Sequence, residues 1–353
     1  MHIVRHNIRV PLTYLRHDTG LSGLPSIPLR QSKMIQPRGL LQSGLRDALL
    51  CPVTSLPLAA GPTGGLMAPG GPEYPVVDGI PVLIDERPGV FRISEVLDGQ
   101  FRYHASTNSA KERFVNSLPS LSLNVAAVKN FASLRKRLLA LTPNPRVLIV
   151  GGGGLGEGLR ELVLDPAFDV VESDVYFGDR TTLISDAHQI PFAAGTFDGV
   201  VLQGVVQALL EPTRAIAEIH RVLKPDGLFY IEAAFVQAVC DGAYDFQRFT
   251  HSGLRRLCRQ FEELDSGIQS GPGMAFGWTY MYWLSTFVTT KRPRVILRLF
   301  ARMTGFWLKY FDRWVIRHPA AYDVAAGVYF MGKRSDRTRS DREIIESYRG
   351  AFL

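Results

Sequence analysis

One stretch constrains this chain more than any other: Val147-Leu148-Ile149-Val150 followed at once by Gly151-Gly152-Gly153-Gly154-Leu155-Gly156. The four apolar residues read as a β run. The glycines after it let the backbone turn sharply and let the next helix approach a ligand with no Cβ in the way. The string satisfies G-x-G-x-x-G, so a nicotinamide dinucleotide site stays open at this point, as does a plain tight turn.

Downstream the texture alternates. Strand-like runs over 146–150, 169–174, 182–185, 199–203 and 228–233 are interleaved with helical patterns from Gly156, over 212–223 and over 252–261. A last strand, 325–333, follows a long insertion. Such alternation predicts an α/β fold, a parallel sheet with helices on both faces. With 353 residues, 46% of them hydrophobic and 21% charged, the chain is an ordinary globular protein with room for one large domain and an appendage.

The residues around the glycine turn narrow the chemistry. The second strand ends Val170-Val171-Glu172-Ser173-Asp174, placing an acid where both ribose hydroxyls of a nucleotide can be taken. Asp186-Ala187-His188-Gln189-Ile190-Pro191-Phe192 comes next, then Thr196-Phe197-Asp198-Gly199-Val200-Val201, then Leu223-Lys224-Pro225-Asp226-Gly227. At these four points, over about 145–235, the chain resembles the class I S-adenosylmethionine-dependent methyltransferases of the small-molecule type. The resemblance implies a Rossmann-like sheet and S-adenosylmethionine as cofactor. It implies that Gly151, Gly153 and Gly156 lie by the methionyl part, that Asp174 takes the ribose, and that Asp186 with the Ala187 backbone takes adenine. Gln203, at the end of the strand before Val205, is a candidate for lining the same pocket. Relatives commonly carry Glu-His where this chain has Gln207-Ala208.

Beyond 228–233 stands Tyr244-Asp245-Phe246-Gln247-Arg248-Phe249-Thr250-His251, similar to an Asp-Tyr-x-Arg-Phe-Thr stretch in a subgroup of these enzymes. A loop there lies at the carboxyl ends of the strands, where α/β sheets bind ligands. Asp245 and His251 are the expected catalytic bases for an oxygen acceptor, and Tyr244 and Arg248 the expected substrate contacts. Thr250 reads as a helix cap.

Ahead of this domain, 45–95 opens with Leu49-Leu50-Cys51-Pro52-Val53-Thr54 and closes with two short β runs around Asp78-Gly79, a hairpin dipeptide. The segment resembles the zinc-ribbon-like domain of tRNA methyltransferase activator proteins. A structural zinc site needs four Cys or His ligands. Here Cys51 stands alone, Thr54 occupies its partner's place and a second knuckle is not seen, so a metal-free remnant is expected and no metal. Cys51, Cys240 and Cys258 share no tight spacing, which fits a reducing compartment and a cytoplasmic location.

The net charge of +7 is local. Residues 1–50 carry seven Arg or Lys, and 291–317 carry eight against Asp312 alone. Within the insertion, Arg298, Arg302, Lys309, Arg313 and Arg317 fall at helical spacing and predict one cationic stripe beside Leu299, Phe300, Phe306, Trp307, Phe311 and Trp314. A helical cap packed on the sheet with solvated charges is the first reading. Peripheral contact with the inner face of a membrane through 271–317 is the second. No nucleic acid is expected.

The expected organisation is a basic, disordered tail over 1–44, a degenerate ribbon over 45–95, and a helical linker over 96–144. A methyltransferase domain follows over 145–335 with a helical insertion at 268–322, and then a charged tail over 336–353. The expected function is direct transfer of a methyl group to a small or lipid-linked acceptor. The alternative is a non-catalytic, cofactor-binding partner protein that docks through 45–95.

Overall fold

The computed structural model describes residues 43–99 and 118–352. The tail expected over 1–44 lies almost wholly outside the described residues, as does 100–117 of the linker. The chain opens with α1 (Ser43–Arg46), β1 (Ala59–Ala60), β2 (Leu66–Met67), β3 (Glu73–Tyr74), β4 (Val76–Val77), β5 (Ile80–Leu83) and α2 (Ile93–Leu97). The alternating part follows as α3 (Ala127–Leu141), β6 (Arg146–Val150), α4 (Arg160–Leu164), β7 (Asp169–Asp174), β8 (Leu183–Ser185) and β9 (Phe197–Gln203). It continues with α5 (Pro212–Val222), β10 (Leu223–Ala234), α6 (His251–Leu257) and β11 (Phe261–Ser270). The insertion is α7 (Pro272–Ser285), α8 (Lys291–Gly305) and α9 (Leu308–Val315), before β12 (Gly327–Arg334) and α10 (Asp341–Glu346).

One sheet organises the molecule, in the order β11-β12-β10-β9-β6-β7-β8-β5-β4. Strands β5 to β10 are parallel, and β12 is antiparallel to both β10 and β11. This is the Rossmann-like α/β arrangement expected from the alternation. Successive side chains leave a strand on opposite faces, so both sides are apolar. Leu148, Val150, Val200 and Leu202 enter one buried cluster, and Val147, Ile149, Val201 and Tyr230 enter another beneath α3 and α4. Helix α5 starts on Pro212, whose missing N–H costs nothing in a first turn, and buries Ala215, Ile216, Ile219 and Val222 on one stripe. Burying each of Ile216, Ile219 and Val222 contributes about 1.5–3 kcal/mol, so a charge at Ile219 would undock the helix.

The front segment is not a free-standing module. Asp78 and Gly79 both take positive φ, 49° and 79°, as a two-residue hairpin turn requires. The hairpin they close sends β5 alongside β8, with Val82 opposite Ile184 and Leu83 opposite Ser185. β8 is three residues long and would otherwise leave an open apolar edge, which β5 covers. Leu45, Leu49, Cys51 and Tyr74 join the main core cluster.

Two turns face each other there. The Thr54 N–H donates to Cys51 Sγ at 3.4 Å, and the Gly71 N–H donates to the Ala68 carbonyl at 3.0 Å. A Cβ on Gly71 would stand 3.0 Å from Cys51 Sγ and 3.5 Å from Thr54 Cγ2. The turn 68–71 thus packs directly against the turn 51–54. Tyr74 closes the gap, its hydroxyl 3.6 Å from Cys51 Sγ.

The insertion is helical and packs around Leu121, Met274, Trp278, Met281 and Ala301. Its orientation differs from the expected cap with solvated charges. Arg302 donates to the carbonyls of Leu118 and Pro119, and Lys309 to those of Ser120 and Ser122. Arg298 lies over the Tyr282 ring at 5.5 Å. The extended segment 118–122 offers a row of carbonyls, and this turns the cationic side inward. Only Arg313 and Arg317 of the expected stripe stay exposed. Among the described residues, no helix is long and apolar enough to cross a membrane. At the end of the chain, α10 carries a capping box formed by Ser340 and Glu343. Arg255, inside the fold, ties α10 down through Ser347.

Candidate cofactor and acceptor site

The strand order reverses direction between β6 and β9, and that is where an open α/β sheet has a crevice at its carboxyl edge. A cavity opens there. Gly151, Ser173, Asp174, Asp186 and Ala187 form its floor, and Val205, Ala208 and Leu209 one wall.

The glycine turn is built by close approach. Gly151 holds φ at 79°, and a Cβ on it would stand 2.2 Å from Val205 Cγ2. The N–H groups of Gly151 and Gly152 both donate to the Ser173 carbonyl, pinning the turn to β7. The Gly153 N–H donates to Asp174 Oδ2 at 2.8 Å, while Asp174 Oδ1 accepts from the Val175 N–H at 2.7 Å. Burial pushes the Asp174 carboxyl up to about 6, although the N–H groups of Gly153, Val175 and Tyr176 pull the other way. Asp174 is thus an anion held at a cost, at the cavity floor.

Asp186 Oδ1 accepts from the His188 N–H at 2.9 Å and lies 2.5 Å from His188 Nδ1. Ala187 is buried beside it. Gly153, Gly156 and Gln203 do not line the cavity. A Cβ on Gly153 would meet the Tyr176 hydroxyl and Asp174, and one on Gly156 would fall 1.8 Å from Gln203 Oε1. Gln203 Nε2 donates to the Glu157 carbonyl and to Glu232 Oε2, both at 3.0 Å, whereas Gln203 Oε1 is buried with no hydrogen-bond partner. Glu232 is buried among Asn124, Tyr230 and Gln203, and burial raises its carboxyl. Glu157 is raised by burial as well.

The residues expected to act after β10 are divided by the structure. Tyr244 lines the cavity, its ring stacked on Phe91 with centroids 6.3 Å apart. Asp245 and Arg248 form a two-point ion pair with each other. Arg248 also donates to the carbonyls of Gln237, Ala238 and Gln247, so its fork staples the loop and leaves no donor for a substrate. Burial tends to raise Asp245, yet Arg248 and the N–H of Cys240 hold it at about 2, too acidic to take a proton at neutral pH. His251 begins α6 inside the core, Nε2 2.9 Å from Ser266 Oγ and its ring against Tyr322. Burial, with Arg255 and Arg349 nearby, lowers it to about 3. Asp245, Arg248 and His251 do not line the cavity. Thr250 caps α6 as expected, accepting from the Gly253 N–H at 3.0 Å.

Sequence reasoning missed the other wall. Leu83, Asp85, Pro88, Gly89, Val90 and Phe91 line the cavity, brought there by β5. His188, next to Asp186 and Ala187 in the chain, lines it too, as does Arg214, which no local pattern singles out.

Residues 156–231 match the family model described as a methyltransferase domain. The chain carries a methyltransferase domain. A comparison with curated proteins finds no match. Among solved structures, a putative sarcosine dimethylglycine methyltransferase from Galdieria sulphuraria is 14% identical, with 63% of this chain and 96% of that one covered at a TM-score of 0.40. A 1,6-didemethyltoxoflavin-N1-methyltransferase from Burkholderia thailandensis is 16% identical over 69% of this chain and 85% of that one, at 0.35. The phosphoethanolamine N-methyltransferase 2 of Haemonchus contortus, solved with S-adenosyl-L-methionine, is 14% identical over 58% and 52%, at 0.38.

Proposed function

We propose that the protein transfers a methyl group from S-adenosylmethionine to a small acceptor. The observation that carries this is the pair Asp174 and Asp186, presented to one cavity around Gly151 at the switch point of a methyltransferase domain. The residues fit the cofactor group by group. Asp174 offers a carboxylate to a vicinal diol, and Asp186 with the Ala187 backbone offers an acceptor and a donor to a purine edge. Gln203 Oε1, buried and unpartnered beside Gly156, would serve as an acceptor for an ammonium if the side chain turned toward the cavity. The buried carboxylates Glu157 and Glu232 around Gln203 favour a cation there.

When bound, the cofactor supplies a methyl group on a positively charged sulfur. The chain's contribution is alignment and exclusion of water. Val205, Leu209, Phe91, Tyr244 and Phe246 give the cavity apolar walls at its mouth, and positioning of two reactants is itself a large share of such an acceleration. Neither Asp245 nor His251 lines the cavity, which supports an acceptor arriving with a free lone pair over one that must first lose a proton. The facing turns 51–54 and 68–71 support reading 45–95 as a ribbon that has lost its metal and become a cavity wall.

Calorimetric titration with S-adenosylmethionine and S-adenosylhomocysteine tests the proposal. Micromolar binding by the wild type, lost in Asp174→Ala, is expected. No binding by folded wild-type protein would overturn it, and binding without turnover on a panel of small nitrogen and sulfur acceptors would favour a non-catalytic partner instead.

A further inference from the structure

The inward turn of Arg298, Arg302 and Lys309 has a counterpart on the opposite face of the same helices. Phe306 and Trp307 keep helical backbone angles between α8 and α9, so 291–315 runs as one nearly continuous helix. Its outer face carries Ile296, Phe300, Met303, Trp307, Phe311 and Trp314 at spacings of four, three, four, four and three, one stripe of a helix. These side chains are exposed, Ile296 at 66%, Phe300 at 52% and Trp314 at 71%. The helix is amphipathic in reverse, its charges against the domain and its large apolar side chains in solvent. Apolar surface gathered in this way marks an interaction site.

The charges beside the stripe say what covers it. Arg292, Arg313 and Arg317 are exposed around it. From 271 to 317 the only carboxylate is Asp312, and that one is buried, accepting from the N–H groups of Gly273 and Met274 at the start of α7. A second copy of the chain seated on this face would set cations against cations. An anionic bilayer offers an apolar interior beneath a negatively charged layer, and Trp, Phe and Arg side by side match both. β11 runs parallel to β10, so α7 leaves the sheet at its carboxyl edge, the edge that holds the cavity.

We infer that the α8–α9 face docks the protein on an anionic membrane surface, lying in the interface without spanning it. The inference stands apart from the cofactor reading, and its test needs no turnover. All four tryptophans, Trp278, Trp283, Trp307 and Trp314, lie in the insertion, so selectively excited tryptophan emission reports on this region alone.

The experiment is co-sedimentation of the full chain with phosphatidylcholine vesicles, with and without roughly one-third phosphatidylserine, alongside Phe300→Glu/Trp314→Glu. Binding to the anionic vesicles with a blue-shifted emission is expected, about tenfold or more weaker on neutral vesicles. The double variant should lose binding while unfolding at the wild-type temperature, since both side chains are exposed. No binding to anionic vesicles, or equal binding by the double variant, would overturn the inference. So would a concentration-dependent dimer in ultracentrifugation that the double variant abolishes while vesicles have no effect. That result would assign the face to a second copy.

Discussion

Replacing Asp174 with Asn should separate stability from cofactor binding in opposite directions. The carboxyl is pushed by burial from 3.8 to about 6, and each pH unit of displacement is worth 1.36 kcal/mol. The folded state therefore binds a proton that the unfolded chain has already released between these two values. Stability falls as pH rises from about 4 through about 6, and at neutral pH the buried anion costs about 3 kcal/mol. Asn removes the charge but offers one acceptor where Oδ1 and Oδ2 now accept from Val175 and Gly153. One lost hydrogen bond returns about 1 kcal/mol, leaving Asp174→Asn about 2 kcal/mol more stable than wild type at pH 7.5. Urea unfolding at pH 7.5 and pH 4 is the assay, with S-adenosylmethionine titration beside it. The stability gain should vanish at pH 4, and affinity at pH 7.5 should fall by about one to two decades with the loss of a charged acceptor. A variant less stable at pH 7.5, or a stability difference that ignores pH, would refute the reading of Asp174 as an anion held for its ligand.

Other outcomes follow from single contacts. Gly151→Ala puts a Cβ 2.2 Å from Val205 Cγ2 at a φ of 79°. It should cost about 2–4 kcal/mol in urea unfolding and abolish cofactor binding, and a wild-type midpoint would show that the turn has slack. His251 is held near 3, below its ordinary 6.5, so the unfolded state takes up its proton first and stability falls as pH drops from 6.5 toward 3. His251→Asn should flatten that acid limb of the melting-temperature profile, and an unchanged limb would place the titration elsewhere. Zinc should not raise the melting temperature of the wild type. Thr54→Cys/Ala68→Cys/Gly71→Cys, which completes the facing turns around Cys51, should bind one zinc by metal analysis, and failure to bind would argue that the turns are not a ribbon's knuckles.

The α/β sheet, the glycine turn and the floor of the cavity are legible along the chain, because these depend on local chemistry. A strand ending in glycine must turn, an apolar alternation must be covered on both faces, and an acid at a strand's end must face the carboxyl edge. Gly151, Asp174, Asp186 and Ala187 were legible for that reason, as was the Thr250 cap. Tertiary structure decided the rest. Phe91 reaches the cavity only because β5 pairs with β8, a contact between residues about a hundred positions apart that leaves no periodicity to read. Asp245 and His251 stand near the loop in sequence, but tertiary contacts pair Asp245 with Arg248 and His251 with Ser266, away from the cavity lining. Helical spacing found the stripe of Arg298, Arg302 and Lys309 but not its direction. The carbonyls of 118–122 bind the cations, and so the apolar face of the helix is the one left in water.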